Sequence, residues 1–204
     1  MSRSKSELSR EKIAAIAVAI ADADGFEAVT MRRLASEIGV GTMSLYYYVK
    51  TKEDLIAMMD DSLMADVILA SMSKDWRQAI MEIATRTHAV LIRHPWVFSS
   101  ILASSPGLNA MRHMEQCLQA LDGTPLTSKQ KLTLLAMVDD FVFGSALRDV
   151  LNTLPTDHTF AAKQLESGDF PHLSAMYESG QADPSKDRFE LGLRALLDSV
   201  AVKI

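Results

Sequence analysis

The sequence predicts an all-α protein, on the strength of three observations. Apolar residues recur at intervals of three and four along most of the chain, which is the spacing of one helix face. No stretch of any length alternates between apolar and polar residues, as a half-buried strand would. Most glycines and prolines lie between the periodic stretches, where they would end one helix before the next begins.

The composition fits a sizeable apolar core and excludes several classes of protein. Apolar residues make up 48% of the 204 residues, and no uninterrupted run reaches the length of about 18 that indicates a membrane span. The polar N-terminus lacks the apolar segment of a secretion signal, so we expect a cytoplasmic protein. The single cysteine, Cys117, excludes an internal disulfide and a cysteine-based zinc site. We predict no metal and no cofactor.

The first two predicted helices have clear boundaries. Ser9 is a good N-cap for a helix with isoleucine and alanine on one face, and Gly25 ends it. Thr30 caps a second helix, which ends at Gly39, where a left-handed residue is usual.

A third short helix follows Gly41 and carries hydroxyl and aromatic side chains, with few apolar positions to bury. The second helix of such a closely joined pair is the one that enters the major groove of DNA in helix-turn-helix proteins. An ordinary corner between two helices of a bundle is the alternative interpretation. Arg32 and Arg33 before the turn, and Lys50 and Lys52 after it, favour the DNA-binding one.

The charge is distributed unevenly between the two ends of the chain. The net charge is −5 overall, but residues 1–52 carry +2 and the remainder carries −7. We therefore predict two domains, a helix-turn-helix DNA-binding domain at 1–52 and a helical body at 53–204. Because the positive charge is modest, tight DNA binding should need two copies of the DNA-binding domain.

The body is predicted to contain seven or eight further helices. Thr51 caps the first, and breakers or proline end the others. The predicted ranges are 52–72, 75–92, 96–104, 108–121 and 128–152, then one or two short helices between 155 and 184, and finally 186–201.

The N-terminal motif resembles the DNA-binding domain of TetR-type transcriptional repressors. The residues that carry the resemblance are Met31–Ala35, Ile38–Val40, Leu45–Val49 and Lys52. Further segments resemble the all-helical C-terminal domain of the tetracycline repressor: Trp76, His94–Trp96, Phe141–Gly144, Phe189–Leu193 and Leu196–Asp198.

The resemblance implies a homodimer that binds a palindromic operator in double-stranded DNA and is released by a small apolar or amphipathic effector. It implies base contacts from Arg32, Thr42, Met43, Ser44 and Tyr47. Phosphate contacts are expected from Tyr46, Tyr48 and Lys52.

The body contains several methionines and aromatic residues that suit an adaptable ligand pocket, although most methionines at helical spacing simply fill a core. Because the resemblance places an effector domain here, we predict that the effector contacts one group of side chains. These are Met59, Leu63, Ile83, Phe98, Met114 and Phe143, with His88 or Asp139 as the orienting polar group.

Two predicted helices, 128–152 and 186–201, are apolar on more than one face and are expected to bury a face against a second copy of the chain. The corresponding helices form a four-helix dimer interface in the TetR-type family. The residues expected there are Phe141, Phe189, Leu193, Leu196, Leu197 and Val200.

Two other classes of function remain as alternatives. Cys117 as a nucleophile with His113 as its base fits by helical spacing alone, so we predict no catalytic residue and no enzyme. An architectural or partner-binding helical protein without ligand control would differ by lacking sequence-specific DNA binding.

Overall fold

The residues that this computed structural model describes, 8–100, 106–153, 159–178 and 188–201, contain eleven α-helices, one 3₁₀ turn and no strand. The all-α prediction is confirmed. The helices are α1 (Arg10–Asp24), α2 (Met31–Ile38), α3 (Thr42–Leu45), α4 (Lys52–Val67), α5 (Trp76–Arg93), α6 (Val97–Ser100), α7 (Leu108–Ala120), α8 (Ser128–Asn152), α9 (Thr159–Leu165), α10 (Pro171–Glu178) and α11 (Arg188–Ala201), with the 3₁₀ turn at Phe26–Ala28.

The N-terminal head consists of α1, α2 and α3. The Ser9 side chain accepts a hydrogen bond from the backbone N–H of Lys12, and Thr30 does the same for Arg33. Gly39 ends α2 with φ of 79°, which is left-handed backbone that favours glycine. Helix α3 is a single turn, shorter than we expected, and the three tyrosines at positions 46–48 follow it in a turn.

Helix α4 joins the head to the body, and the predicted end at residue 72 is wrong. It begins after Thr51, whose side chain accepts from the backbone of Asp54, and ends at Val67. Beyond it, the side chain of Gln116 on α7 donates to the carbonyl of Leu69 at 2.8 Å and accepts from its N–H at 2.9 Å. Those backbone groups are therefore paired with a side chain of α7 rather than within a longer α4.

The body is built around α5 and α8, which pack against each other along their length, with α4, α7 and α11 beside them. Helix α8 keeps its predicted bounds because Thr127 and Gln130 form a capping box at its start. Two short helices, α9 and α10, occupy the predicted region before α11. The part of 96–104 beyond residue 100 lies outside the described residues.

One continuous apolar core runs from α1 through α4 to α11. Because the head and body share this core, a domain boundary at residue 52 stays a prediction. None of the helices described is both long and apolar enough to span a membrane.

Candidate DNA-reading surface and effector cavity

The helix-turn-helix motif presents α3 to solvent. Leu45 is its one buried residue, at 0% exposure, and Val49 just beyond is also fully buried, so these two side chains hold the turn on the head. Met43 is 76% exposed and Tyr47 is 81% exposed. These two side chains contribute little to the core and are accessible for contacts outside the chain.

The other predicted DNA contacts are mostly exposed as well. Arg32, Thr42, Ser44 and Lys52 are exposed, and Tyr46 is 44% exposed. Tyr48 differs from its neighbours, because its ring is partly buried against the core of the head.

Asp54 fixes the position of this surface, and sequence reasoning missed it. Its carboxylate accepts from the Arg10 guanidinium at 2.7 Å and from the backbone N–H of Lys50 at 2.9 Å. Arg10 also donates to the carbonyl of Tyr48. The bond from Arg10 is the main reason that the pKa of Asp54 is lowered. One carboxylate thus joins α1, the turn after α3 and the start of α4.

A small cavity lies between α5, α7 and α8. Its volume is about 10 Å³, which is close to the minimum for one water molecule. Ile83 and Asp139 are the predicted effector contacts among its lining residues. The complete lining is Ile80, Ile83, Ala84, Thr87, His113, Cys117, Leu135, Val138, Asp139 and Val142.

Three ionisable groups of this cavity have altered proton affinities. Burial, followed by the charge of Asp140, raises the pKa of Asp139 to about 6. Burial lowers the pKa of His113, whose Nδ1 atom is buried without a hydrogen-bond partner. Asp139 lies at the exposed surface of the single chain, so we place its carboxylate at the mouth of the cavity. Clusters of this kind are typical of functional sites.

The surroundings of Cys117 disfavour the reactive form of its thiol. Its sulfur lies 3.8 Å from Nε2 of His113, as the helical spacing predicts. Burial, with a contribution from the charge of Asp139, raises the pKa of the thiol to about 12. The thiolate is the reactive form and is scarcely populated at neutral pH.

The remaining predicted effector contacts do not gather around this cavity. Met59 and Leu63 lie on α4 in the apolar core of the protein, at 0% and 3% exposure. The rings of Phe98 and Phe143 pack edge to face with their centroids 6.1 Å apart. Met114 is 40% exposed on α7.

His88 lies at the other side of α5, towards α11. Its ring stacks on Phe189 with centroids 4.0 Å apart, and Nε2 lies 3.1 Å from Oδ2 of Asp149. These atoms are close enough for an ion pair but are not aligned as a hydrogen bond. Desolvation is the main cause of the lowered pKa of His88.

Comparison with known proteins identifies the family. Residues 13–59 match the bacterial regulatory proteins of the tetR family, and residues 70–204 match the tetracyclin repressor-like C-terminal domain. The chain belongs to the TetR family. The suspected resemblance is therefore confirmed for both parts of the chain.

Named relatives agree with this assignment. The transcriptional repressor DrrR1 of Streptomyces coeruleorubidus is 33% identical, over 98% of this chain and 80% of its own length. The class E tetracycline repressor of Escherichia coli is 22% identical, over 93% of this chain and 89% of its own length. The chain is a TetR-family transcriptional repressor and not an enzyme.

Solved structures of other proteins share the fold. ActR of Streptomyces coelicolor, in complex with actinorhodin, matches with a TM-score of 0.80 and 24% identity, over 97% of this chain and 99% of its own. BioQ, with its double-stranded DNA operator, matches with a TM-score of 0.66 and 20% identity, over 96% and 99%.

The predicted dimer residues of this TetR-family chain occupy different environments. Leu193 and Leu197 are 0% and 1% exposed, so they already belong to the core of the single chain. Phe141 and Phe189 stack on each other with centroids 5.7 Å apart. Leu196 is partly buried, and the side chain of Val200 lies outside the described residues.

Other apolar residues of α8 and α11 remain on the surface. Met137, Leu147 and Leu151 on α8 are 41%, 41% and 52% exposed, and Leu191 on α11 is 61% exposed. The predicted dimer interface did not include these residues, because periodicity identifies an apolar face without saying which neighbour covers it. Within the described part of the chain, no group of three or more acidic, histidine or cysteine side chains could hold a metal ion.

Proposed function

We propose that this TetR-family repressor binds a palindromic operator as a homodimer and is released by a small apolar or amphipathic effector. The observation that carries the proposal is the exposure of α3, which buries one leucine and presents Met43 and Tyr47 to solvent. A surface helix of this kind, held at a fixed angle by α2, suits the major groove.

The residues proposed for DNA recognition fall into two groups by their chemistry. Arg32, Thr42, Met43, Ser44 and Tyr47 would contact base edges, where hydrogen bonds and apolar contacts carry sequence information. Tyr46, Tyr48 and Lys52 would contact phosphates and fix the register. The net charge of +2 over residues 1–52 supports the same placement.

The effector site is proposed between α4, α5, α6, α7 and α8. The cavity that includes Ile83 and Asp139 marks its polar end, with His113 and Cys117 as added lining residues. A cavity this small must enlarge to admit an effector, so binding would displace at least one of its three helices. The other proposed contacts are Met59, Leu63, His88, Phe98, Met114 and Phe143.

The homodimer is proposed to form through α8 and α11, beside Phe141, Phe189 and Leu196. The exposed apolar residues of both helices support this proposal, since they remain uncovered within one chain. Leu193, Leu197 and Val200 remain proposed members of the interface. The first two would support it from the core of the single chain.

The direct test is operator binding by two tyrosine variants. Fluorescence anisotropy with palindromic DNA from the region flanking the gene should show about tenfold weaker binding for Tyr47→Ala, because a lost base contact costs about 1–3 kcal/mol. Tyr177→Ala is the matched control, since this tyrosine is 56% exposed on α10, far along the chain from the motif. Footprinting should show two protected half-sites.

Two results would contradict the proposal. Protection of a single asymmetric site would show that the protein does not bind DNA as a two-fold dimer. Equal affinity of the unaltered protein for the palindrome and for scrambled DNA would favour the architectural alternative.

A further inference from the structure

A partly buried polar junction connects the head to the body independently of α4. Asp22 on α1 accepts two hydrogen bonds at one carboxylate oxygen, from Nδ1 of His94 and from Nε1 of Trp96, each 2.7 Å long. His94 and Trp96 are each only 6% exposed, and they form the corner between α5 and α6. A carboxylate accepts only, so both ring N–H groups donate to it.

An aromatic contact extends this junction towards the DNA-reading surface. The ring of Trp96 stacks on Phe26 with centroids 6.0 Å apart and planes 4° from parallel. On the Phe26 ring, the ammonium of Lys52 lies 5.8 Å from the centroid, within reach of a cation–π interaction. The body residue Trp96 is therefore two contacts away from a residue proposed to bind a phosphate.

We propose that Asp22 is a positioning residue that fixes the orientation of the DNA-reading head on the body through His94 and Trp96. The inference rests on the proposed function for its operator-binding test and for the effector. Opening of this junction allows the head to take several orientations, of which one fits both half-sites. Movement of the corner between α5 and α6 opens it, so the junction gives an effector in the body a second route to the head besides α4.

The charge of Asp22 separates this role from a simple electrostatic one. Removal of an acidic side chain from the head reduces its repulsion of DNA phosphates, which by itself strengthens binding. Loss of a positioning contact weakens specific binding instead, because only a fraction of the molecules then holds the competent orientation. The two explanations predict changes of opposite sign.

Distance measurements on the full chain test the orientation without DNA. Spin labels at Ser36→Cys on α2 and Ala89→Cys on α5, both exposed positions, report the head relative to the body in a Cys117→Ala background. Labelled chains are diluted with excess unlabelled chain, so that each distance lies within one chain. We expect one narrow distribution of label-to-label distances when Asp22 is present and a clearly broader one in Asp22→Ala. Equal widths would overturn the proposal.

Operator binding tests the consequence with a charge-matched control. Asp22→Ala should weaken specific binding by about tenfold, as expected if about a tenth of the heads keep the competent orientation. Glu27→Ala removes the same charge from an exposed position of the head and should bind equally or more tightly. Asp22→Asn keeps an acceptor oxygen and should fall between the two.

A double-mutant cycle excludes a general loss of folding. Trp96→Phe removes the indole N–H donor together with part of the ring that stacks on Phe26. Asp22→Ala should cost clearly less affinity in that background than in the unaltered chain. Additive losses would overturn the proposal. Failure of the unaltered protein to bind any operator would instead overturn the proposed function, while the distance measurement would still decide the role of Asp22.

Discussion

Asp139 keeps its proton to a higher pH than an ordinary aspartate. Its pKa is about 6, raised by burial and by the neighbouring charge of Asp140. The folded state therefore binds more protons than the unfolded state between the ordinary pKa of 3.8 and this raised value. Stability contributed by this residue declines as the pH rises through that window.

Replacement of Asp139 by asparagine should remove this pH dependence. Denaturant unfolding at several pH values should show Asp139→Asn gaining stability over the unaltered chain as the pH rises from about 4 to about 7. The difference should be small at the acid end, where both side chains are neutral. Glu115→Gln, at an exposed position of α7, is the control for removal of a carboxylate charge. A constant difference at all pH values would contradict the raised pKa.

Residues whose roles depend on local sequence could be predicted, and those with distant partners could not. The caps Ser9 and Thr30 and the exposure of Tyr47 follow from neighbouring residues, and the structure agrees with them. Asp54 and Arg10 are 44 residues apart, and Asp22 and His94 are 72 apart. No periodic pattern marks such pairs, because they meet only after the helices have packed.

Asp61 on α4 caps the first turn of α7. Oδ1 of Asp61 accepts from the backbone N–H of Asn109 at 2.7 Å and of Ala110 at 3.2 Å. These are first-turn donors of α7, so a residue of another helix acts as its N-terminal cap. Gly107 permits the close approach, because a methyl group there would clash with the Asp61 carboxylate.

The Asp61 carboxylate caps α7 but would clash with a methyl group at position 107. The energetic coupling between the two positions can be measured. Asp61→Ala should destabilise the fold by about 1 kcal/mol through loss of the cap. Gly107→Ala should also destabilise it, but should cost little in the Asp61→Ala background, where the carboxylate is gone. Thermal unfolding of the two single variants and the double variant gives the coupling. Additive effects would show that Gly107 does not contact Asp61.

At the level of elements, ends set by local caps were predictable and one set by tertiary contact was not. The start of α8 follows from Thr127 and Gln130, which lie within four consecutive residues. The end of α4 was predicted at residue 72, because apolar periodicity continues past Val67. The Gln116 side chain, contributed by α7, pairs with the backbone of Leu69 there.

Across the whole molecule, the uncovered apolar residues of α8 and α11 test the dimer. Leu191→Asp leaves a charge that is harmless in one chain, since Leu191 is 61% exposed. Covered by a partner, an unpaired charge costs several kcal/mol, roughly 2–5. Sedimentation should therefore show folded monomers for Leu191→Asp. Leu193→Asp should unfold the chain instead, since Leu193 is fully buried.

Phe160→Asp is the matched control for the dimer test. Phe160 is 73% exposed on α9, outside the two helices assigned to the interface. We expect this variant to sediment as the unaltered protein does. A dimer that survives Leu191→Asp but is lost in Phe160→Asp would move the interface to α9.

Because α4 is held at three points along its length, it can rotate about the middle one like a lever. Asp54 ties its first turn to the head, Asp61 ties its middle to α7, and Gln116 holds the chain just beyond its last turn. With Asp61 as the fulcrum, the arm that reaches Lys52 is about 13 Å long at 1.5 Å per residue. A tilt of roughly 5° then displaces the head by about 1 Å, which is enough to lose well-aligned hydrogen bonds to bases. In a two-fold dimer both arms swing together, so the separation of the reading helices changes by about twice that distance.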